Sequence, residues 1–275
     1  MSHLLIFGPG YSAGRIADHV RAKDWHVTPI TRSTIEDDAL VRAALASATH
    51  ILSSVPPDAE GDPVLRRHGD AIAASPARWV GYLSSTGVYG DSGGAWIDES
   101  ALVAGRRPGR NAADAAWQAV HPETRIFRLP GIYGPGRSAL DRVNDGRAHR
   151  VDITGQVFSR IHVDDLAAGV IASMRHGPPG VYNLADDEPA PQSDVIAFAA
   201  ALLQRVPPPL LSIEAAGLSP QAREFYNENR RIANGKANRL LGWSPRYANY
   251  RAGLMACLGN PAHEQRVTST GYTSR

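Results

Sequence analysis

The first fourteen residues constrain the fold of this chain more than any other stretch. Positions 4–7 carry four apolar side chains in a row, which predicts a buried parallel strand. Glycines follow at positions 8, 10 and 14, and a helical pattern of apolar residues begins near Ser12. Glycine tolerates backbone angles that other residues avoid, so the chain can turn sharply from strand to helix. This order predicts an α/β fold built on a mainly parallel sheet.

Gly8, Gly10 and Ala13 have the spacing G-x-G-x-x-G/A that is typical of turns that bind a dinucleotide. In such a turn the first glycine permits the bend, the second lets a diphosphate approach the backbone, and the third small residue keeps helix and strand close. The N–H groups at the helix start, near Tyr11 and Ser12, would face the phosphates. A plain glycine hinge is the alternative, but the strand before and the helix after favour a cofactor site. We expect a doubly wound, Rossmann-type sheet that binds NAD or NADP.

The end of the second predicted strand, 26–31, indicates which cofactor fits. Proteins that bind NAD place an acidic side chain there, on the ribose 2′-hydroxyl, whereas an arginine suits the 2′-phosphate of NADP. This chain has Arg32 at that point, with no carboxylate beside it. The planar, permanently charged guanidinium favours NADP over NAD. An ordinary solvated loop residue is the alternative for Arg32.

The next predicted strand, 50–57, follows so soon that the usual third strand has little room. Only seventeen residues separate Arg32 from it, so the third strand is expected to be short or missing. Ser54, Val55 and Pro56 lie at the carboxyl end of this central strand, where open α/β sheets bind ligands. We assign these three residues to the cofactor site, and a rigid turn is the other interpretation.

Charge and composition argue against several classes of function. The net charge of +2, from 29 basic and 27 acidic residues, indicates neither a nucleic acid nor a membrane as partner. The N-terminus lacks a basic region and a secretion cleavage site, and its apolar run is too short to cross a bilayer. A single cysteine, Cys257, excludes an internal disulfide, and no metal-ligand spacing is present. We expect a cytoplasmic protein that binds a small molecule and no metal.

Four later segments occur in an order that resembles a known family. The strand at 79–86 continues to residue 90 as Ser-Ser-Thr-Gly-Val-Tyr-Gly, and 128–137 reads Arg-Leu-Pro-Gly-Ile-Tyr-Gly-Pro-Gly-Arg. Further on come Arg-Ile-His-Val-Asp-Asp-Leu-Ala at 160–167 and Val-Tyr-Asn-Leu-Ala-Asp at 181–186. In these segments the chain resembles the extended and atypical short-chain dehydrogenases/reductases, the NAD-dependent epimerase/dehydratase family.

The resemblance implies roles for residues around the cofactor. In the family, a Ser or Thr three residues before the Val of the Val-Tyr-Gly segment binds the reacting oxygen, and that residue here is Ser85. Thr86 would contact the substrate. The dehydratases of the family carry Thr-Asp-Glu at 85–87, where this chain has no carboxylate, so dehydration is not expected. The resemblance assigns four further residues to the cofactor site: Ser84, Pro130, Gly131 and Ile132.

The catalytic pair of the family, Tyr-x-x-x-Lys, is missing. In the family the lysine lowers the pKa of the phenol and holds the ribose, while the tyrosine supplies the proton. The chain has only two lysines, Lys23 and Lys236, and no tyrosine stands four residues before either. By the register of Ala-Ala-Asp at 112–114, Arg106 and Arg110 occupy the two positions. Arginine stays protonated, so Arg106 cannot be the acid or base, whereas Arg110 could hold a ribose or a phosphate.

Other proton carriers near the expected site are few. Tyr89 and Tyr133 stand where the family has packing tyrosines. His162 could titrate near neutral pH, although a buried, hydrogen-bonded histidine is the favoured interpretation. Asp164 is expected to cap a helix over 165–174. The sequence therefore identifies no group that replaces the missing tyrosine.

The predicted organisation is a cofactor domain followed by a small C-terminal lobe. The ranges are 1–185 for the Rossmann domain, 138–158 for an insertion that joins the lobe, 186–258 for the C-terminal lobe itself and 259–275 for a flexible tail. We assign four residues to the substrate: Arg137, Arg160, Tyr226 and Arg230. The run 224–231 fits equally well as a surface helix in which Asn227 contacts Arg231. The glycine-rich stretches 93–94 and 105–109 are flexible enough to form a lid.

Two functions of different class agree with these features. The first is an NADP-dependent oxidoreductase or epimerase-like enzyme that acts on a sugar nucleotide or a related carbonyl or hydroxyl compound, with Ser85 orienting the reacting oxygen. The second is a non-catalytic NAD(P) sensor or regulatory protein, which the missing tyrosine and lysine favour. A homodimer is a further hypothesis, because small residues at 112, 113, 115 and 116 would allow close helix packing.

Overall fold

A computed structural model of the protein describes residues 2–259. Twelve strands occur in this part of the chain: β1 (His3–Phe7), β2 (His26–Ile30), β3 (His50–Ser53), β4 (Trp79–Ser85), β5 (Trp96–Ile97), β6 (Thr124–Leu129), β7 (Gly131–Tyr133), β8 (Arg150–Val151), β9 (Arg160–His162), β10 (Gly180–Asn183), β11 (Leu210–Leu211) and β12 (Arg231–Ile232). Ten α-helices accompany them: α1 (Tyr11–Arg21), α2 (Asp38–Ser47), α3 (Pro63–Ala73), α4 (Pro108–Val120), α5 (Ala139–Asn144), α6 (Val163–Ser173), α7 (Gln192–Leu202), α8 (Pro220–Glu224), α9 (Gly235–Leu241) and α10 (Tyr250–Leu258).

Six of the strands form one parallel sheet in the order β10-β6-β4-β3-β1-β2. The strand order reverses at β1 and β3, and the carboxyl ends of these strands open the crevice where such sheets bind ligands. Among residues 2–259, no strand lies beyond β2, which confirms the expectation from the short connection after Arg32. The predicted Rossmann-type fold is therefore confirmed, with β2 as one edge of the sheet.

Helices cover both faces of the sheet because alternate residues of each central strand point to opposite sides. Leu4 and Ile6 of β1 face a core formed with α1, α6 and α9, which includes Ala13 and Ile16. Leu5 and Phe7 face the opposite core, formed with α2, α3 and α4. This arrangement is the doubly wound packing that the continuous apolar run at 4–7 predicted.

A third core lies in the C-terminal lobe. It joins α5, α7 and α10 through buried side chains such as Leu140, Ile196 and Leu254. Part of the stretch 186–258 packs elsewhere, since Ala237 and Leu241 of α9 belong to the core around β1. The proposed division at residue 185 stays a prediction, and the tail predicted at 259–275 lies outside the described residues except for Gly259.

The run 224–231 does not form the surface helix that was one of its two predicted interpretations. Instead of a surface helix, it ends α8, passes through a 3-10 turn at 225–227 and enters β12, which pairs with β5. Because Arg231 is already in a strand, the expected helical contact with Asn227 does not form. No helix within residues 2–259 has the length and apolar character needed to cross a membrane.

Candidate active site

The glycine turn between β1 and α1 is open on the side that faces solvent. Gly8 has a φ of +74° and donates its N–H to the carbonyl of Ile30 at 2.9 Å. Gly10 is the N-cap of α1, and a Cβ placed on it would meet no atom within 4 Å. Ala13 is fully buried against the sheet. The free N–H groups of the helix start, at Tyr11 and Ser12, lie beside this uncrowded glycine and could donate to an anion.

The loop after β3 forms a second wall of this space. Ser54 donates its hydroxyl to the carbonyl of Gly8 at 2.5 Å, and a Cβ on Gly8 would lie 2.8 Å from the Val55 side chain. Only glycine therefore fits at position 8, for reasons of both space and backbone angle. Pro56 is exposed beside these contacts. The structure brings the predicted cofactor residues of the β1 and β3 loops together.

The loop after β2 holds Arg32 with its charge free. Arg32 is exposed, and no carboxylate in the described part of the chain lies within ion-pair distance of it. Two acidic residues that follow in the chain are engaged elsewhere: Asp37 caps α2 by accepting from the N–H of Leu40, and Asp38 pairs with Arg67 at 2.9 Å. Hydroxyl groups surround Arg32 at positions 31, 33 and 34. A guanidinium among hydroxyls is suited to a phosphate.

Ser85 lies on the other side of the cleft, where β4 ends. Its hydroxyl accepts from the N–H of Gly87 at 3.1 Å and so caps a 3-10 turn over Thr86–Tyr89. Thr86 is buried in this turn. The hydroxyl of Ser84 points instead to the core and donates to Asp114 at 2.6 Å. Ser84 can therefore reach a cofactor only through its backbone, and its assignment stays a prediction.

A buried ion pair lies directly behind this turn. Arg128 of β6 donates from Nη2 and Nε to the two carboxylate oxygens of Asp114 on α4, at 2.7 and 3.1 Å. The guanidinium also lies 4.7 Å from the ring centre of Tyr89, whose hydroxyl donates to Asn183 at 2.7 Å. Burial raises the pKa of Tyr89, so its phenol keeps its proton. The network fixes α4, β4 and β6 relative to one another.

The two arginines at the family's Tyr and Lys positions differ in their surroundings. Arg110 is half-buried in the first turn of α4 and makes no ion pair with any described carboxylate. Arg106 lies before the helix, and its Nε donates to Glu228 at 2.9 Å. Its Nη2 donates to the carbonyl of Glu224 at 2.9 Å. Arg110 is therefore free to hold an anion, whereas the charge of Arg106 is neutralised.

The two stretches expected to form a lid each contain a glycine that is hydrogen-bonded to another segment. Gly105 donates its N–H to the carbonyl of Val88 at 2.8 Å, and a Cβ on it would lie 2.2 Å from the carbonyl oxygen of Gly87. Gly94 donates to the carbonyl of Asn229 at 2.8 Å. The lid itself stays a prediction.

The turn after β6 meets the start of α1. Gly131 is exposed, Pro130 and Ile132 are half-buried, and β7 pairs with β9. Tyr11 donates its hydroxyl to the carbonyl of Pro135 at 3.1 Å, and the Arg137 guanidinium lies 5.6 Å from the centre of its ring. These contacts place the substrate candidate Arg137 beside the cofactor candidate Tyr11. Burial, aided by the nearby Cys257, raises the pKa of Tyr11 to about 12, opposite to the shift that an active phenol needs.

The other substrate candidates have partners within the protein. Arg230 donates from Nη1 to Glu228 at 2.6 Å and to the carbonyl of Gly90 at 2.7 Å. Arg160 is buried and donates to carbonyls of the C-terminal lobe. Tyr226 is half-buried, with its hydroxyl 3.4 Å from Nε2 of His149. Little of either guanidinium is free for a substrate, and the three assignments stay predictions.

His162 is a structural residue, and it takes the place expected of Asp164. Its buried ring caps α6, because Nδ1 accepts from the N–H of Asp164 at 3.2 Å. Nε2 therefore carries the hydrogen and faces Sγ of Cys257 at 3.6 Å. Burial lowers the pKa of His162 to about 4. The prediction that Asp164 is the N-cap is wrong, since its carboxylate instead pairs with Arg15 at 2.5 Å.

Sequence reasoning missed three residues of this site: Asp114, Arg128 and Glu228. Asp114 and Arg128 pair across two elements, and Glu228 pairs with the distant Arg106 as well as with Arg230, so no local spacing signals these contacts as a whole. The described residues contain no group of three metal-ligating side chains close enough to share an ion.

The sheet order, the open glycine turn and the serine turn at the end of β4 define an extended short-chain dehydrogenase/reductase fold. A Methylobacillus flagellatus protein, named as an NAD-dependent epimerase/dehydratase, is 24% identical over 94% of this chain and 97% of its own, with a TM-score of 0.72. The human epimerase family protein SDR39U1, solved with NADPH, is 18% identical over 94% and 99%, with a TM-score of 0.74. At these identities the likeness shows the fold, and it confirms the resemblance drawn from the sequence.

A conserved protein of unknown function from Silicibacter pomeroyi DSS is more similar. It is 42% identical over 94% of this chain and 98% of its own, with a TM-score of 0.85. The chain belongs to the same family as this protein. No family model matches the sequence.

One curated relative is an enzyme. The 3-diazoavenalumate denitrifying reductase of a Streptomyces species is 31% identical in an alignment 140 residues long. That alignment covers 47% of this chain. The aligned part is 45% of that relative, so the match spans about half of its length.

Proposed function

We propose that the protein is an NADP(H)-dependent oxidoreductase that reduces an anionic carbonyl compound, such as a sugar nucleotide that carries a keto group. The observation that carries the proposal is the open turn at Gly10, bordered by free N–H groups of α1 and by the Ser54–Val55 wall. Its shape and hydrogen-bond donors suit a dinucleotide diphosphate. When bound there, the cofactor would supply or accept a hydride.

The charges around the cleft support both the cofactor and the class of substrate. Arg32 would hold the 2′-phosphate that distinguishes NADP from NAD. Arg110 and Arg137 have no carboxylate partner among the described residues, unlike most arginines nearby. These two guanidinium groups, Arg110 on α4 and Arg137 beside Tyr11, favour a substrate that carries a phosphate or a carboxylate.

The missing proton relay favours net reduction over epimerisation. An epimerase must both oxidise and reduce its substrate, which needs a base and then an acid at the reacting carbon or oxygen. Tyr89 and Tyr11 both have raised pKa values, and Arg106 is neutralised by Glu228. Reduction needs a single proton, for the alkoxide that hydride addition leaves, and water could supply it while Ser85 and Arg110 orient the reacting oxygen and offset its negative charge. The reductase name of the Streptomyces relative agrees with this direction.

The second candidate function is a cofactor sensor without catalysis. The tyrosines on β4 and in the turn that follows it, Tyr82 and Tyr89, have raised rather than lowered pKa values, which favours this function. In that case the same cleft would bind NADPH, and Ser85 would serve only to cap its turn.

The binding test uses two glycines of the same turn. Gly10→Val should lower NADPH affinity at least a hundredfold in titration calorimetry, because its side chain would occupy the diphosphate space, while the melting temperature stays near that of the wild type. Gly14→Ala is the matched control: its Cβ would have only an ordinary 3.8 Å contact, so binding should persist. If none of NAD, NADH, NADP and NADPH binds to the wild type, the proposal fails.

The catalytic test follows absorbance at 340 nm with NADPH and a panel of sugar nucleotides and aldehydes, together with analysis of the products. Turnover that falls at least a hundredfold in Ser85→Ala supports a reductase. Tight NADPH binding without turnover, unchanged in Ser85→Ala, would support the sensor instead. A change of substrate configuration without net oxidation of NADPH would show that the enzyme is an epimerase.

A further inference from the structure

Asp186 is a buried carboxyl group without a partner. Its backbone N–H donates to the carbonyl of Arg160 at 2.7 Å, which ties the end of β10 to the start of β9. Its side chain is 1% exposed, and neither carboxyl oxygen accepts a hydrogen bond from a described residue. The N–H groups of Arg160 and Glu188 lie near enough to favour its charge slightly, but neither bonds to it. A buried carboxylate in such a place is costly, so the neutral acid is favoured.

Arg160, beside it, joins the sheet to the C-terminal lobe. Its Nη1 donates to the carbonyls of Phe158 at 2.6 Å and Ala190 at 2.9 Å. Its Nη2 donates to the side chain of Gln192, at the start of α7, at 3.1 Å. Phe158 and Ala190 also bond to each other through both of their N–H groups. Arg160 thus links the segment at Phe158 to the segment at Ala190, where the two are hydrogen-bonded to each other.

The partners of Arg160 are all uncharged, which leaves it open to a stronger one. No described carboxylate forms an ion pair with its guanidinium; burial lowers the pKa of Arg160, and of the nearby groups Asp186 does most to oppose that shift. A charge-assisted bond to a carboxylate is stronger than a bond to a carbonyl, above all in a buried site. Loss of the Asp186 proton would therefore offer Arg160 a better partner than Phe158 and Ala190.

We propose that Asp186 and Arg160 form a proton-dependent switch at the junction of the sheet and the C-terminal lobe. With Asp186 neutral, Arg160 holds the lobe carbonyls. With Asp186 charged, the guanidinium turns toward the carboxylate, and the contact between Phe158 and Ala190 loosens. Other charged or titratable groups face this pair from the surrounding elements: Tyr133 on β7, Asp187 and Glu188 in the loop, Arg142 on α5, Tyr226 in the 3-10 turn and Tyr250 on α10.

The direction of the pH effect follows from burial, which raises the pKa of Asp186 to about 8. The folded protein then holds a proton that the unfolded chain, with an ordinary aspartate, has released above about pH 4. The stability linked to this proton is complete at low pH and is lost as the pH rises toward 8. Asp187 opposes the charged form, whereas Arg160 favours it.

The first test compares melting temperatures of the wild type and Asp186→Asn from about pH 4 to pH 9. The asparagine keeps the shape of the neutral acid, so the two proteins should agree best near pH 4, and Asp186→Asn should melt at least about 5 °C higher than the wild type at pH 9. Asp152→Asn is the matched control, because this exposed aspartate of the lobe is not among the groups that face the pair and should give no growing difference. A constant difference between Asp186→Asn and the wild type would overturn the proposal.

The second test separates titration of Asp186 from movement of Arg160. Hydrogen exchange at the amides of Phe158 and Ala190, corrected for the intrinsic effect of pH, should accelerate about tenfold in the wild type between pH 6 and pH 9 and stay constant in Asp186→Asn. If the melting temperatures diverge but these amides exchange alike, Asp186 titrates without releasing the lobe, and the switch is overturned. Both tests use the protein without cofactor or substrate, so they do not depend on its proposed activity.

Discussion

The two sides of the cleft use charge in different ways. On the cofactor side, the start of α1 offers the backbone N–H groups of Tyr11 and Ser12, and Arg32 is exposed to solvent without an ion-pair partner among the described residues. On the serine side, Arg128 is paired with Asp114, while Glu228 is shared between two arginines. The cofactor side can therefore bind an incoming anion, whereas most arginines of the serine side are already paired with carboxylates of the protein.

The difference separates residues that bind a ligand from residues that hold the site together. A free guanidinium or N–H group contributes little to the fold and gains its partner from the ligand. A buried pair such as Asp114 and Arg128 contributes to the fold only while both members are present, since either alone would be an uncompensated buried charge. Substitutions on the two sides should therefore differ in whether they change stability or affinity.

The largest effect is expected at Arg128. Arg128→Met would leave the buried Asp114 carboxylate without its bidentate partner, so the free energy of unfolding in urea should fall by about 3–5 kcal/mol. Arg251→Met is the control: its exposed ion pair with Glu188 should be worth no more than about 1 kcal/mol. Equal losses in the two variants would contradict the assignment of a structural role to the buried pair.

An intermediate effect is expected at Glu228. Burial alone would raise its pKa, but hydrogen bonds from Arg230 and Arg106 hold that pKa below its ordinary value. This part of the stability is present above the ordinary glutamate pKa and is lost as the pH falls. Glu228→Gln should cost about 1 kcal/mol at pH 7 and less at pH 4.

The same variant probes the charge of the serine side. Glu228→Gln should free Arg106 and Arg230, so inorganic pyrophosphate should bind more tightly in titration calorimetry than it does to the wild type. Glu224→Gln serves as the control, since that exposed carboxylate contacts only Arg107, at 3.5 Å. Unchanged pyrophosphate affinity in Glu228→Gln would show that Glu228 is not what keeps the arginines of the serine side from binding an anion.

The smallest effect on the fold is expected at Arg32. Arg32→Ala should weaken NADPH about tenfold, a loss of about 1.4 kcal/mol, and leave NADH affinity and the melting temperature unchanged. Arg21→Ala removes an exposed arginine of α1 that pairs with Asp18, and it should change neither affinity. Equal weakening of NADPH and NADH by Arg32→Ala would argue against a contact with the 2′-phosphate.

The cofactor side could be predicted from the sequence because its signals are local. The apolar run, the glycine spacing and the helix start all lie within residues 3–14, and the missing third strand follows from a count of seventeen residues after Arg32. The structure confirms this part of the fold closely, since α1 begins at Tyr11, one residue before the expected start.

The serine side could not be predicted because its contacts join distant segments. Arg106 and Glu228 are 122 residues apart, and nothing in their neighbourhoods signals that they meet. The N-cap of α6 shows that tertiary packing can also defeat a prediction between residues close in sequence. Asp164 has the better capping propensity, yet His162 takes the role because packing buries its ring and Asp164 pairs with Arg15 on α1.

The position of β2 at the rim of the sheet bears on how the protein avoids aggregation. The N–H of His26 and the carbonyl of Ile30 form hydrogen bonds on the side of β1. Since backbone groups of successive residues point to opposite sides of a strand, those of Val27 and Pro29 point away from β1, to the open edge of the sheet. Proline has no N–H, which leaves Val27 as the single outward donor of this strand. A foreign chain that tried to extend the sheet would find the ladder interrupted at its centre. Because no further strand of the described residues covers β2, Pro29 helps to keep this edge of the sheet from pairing with other chains.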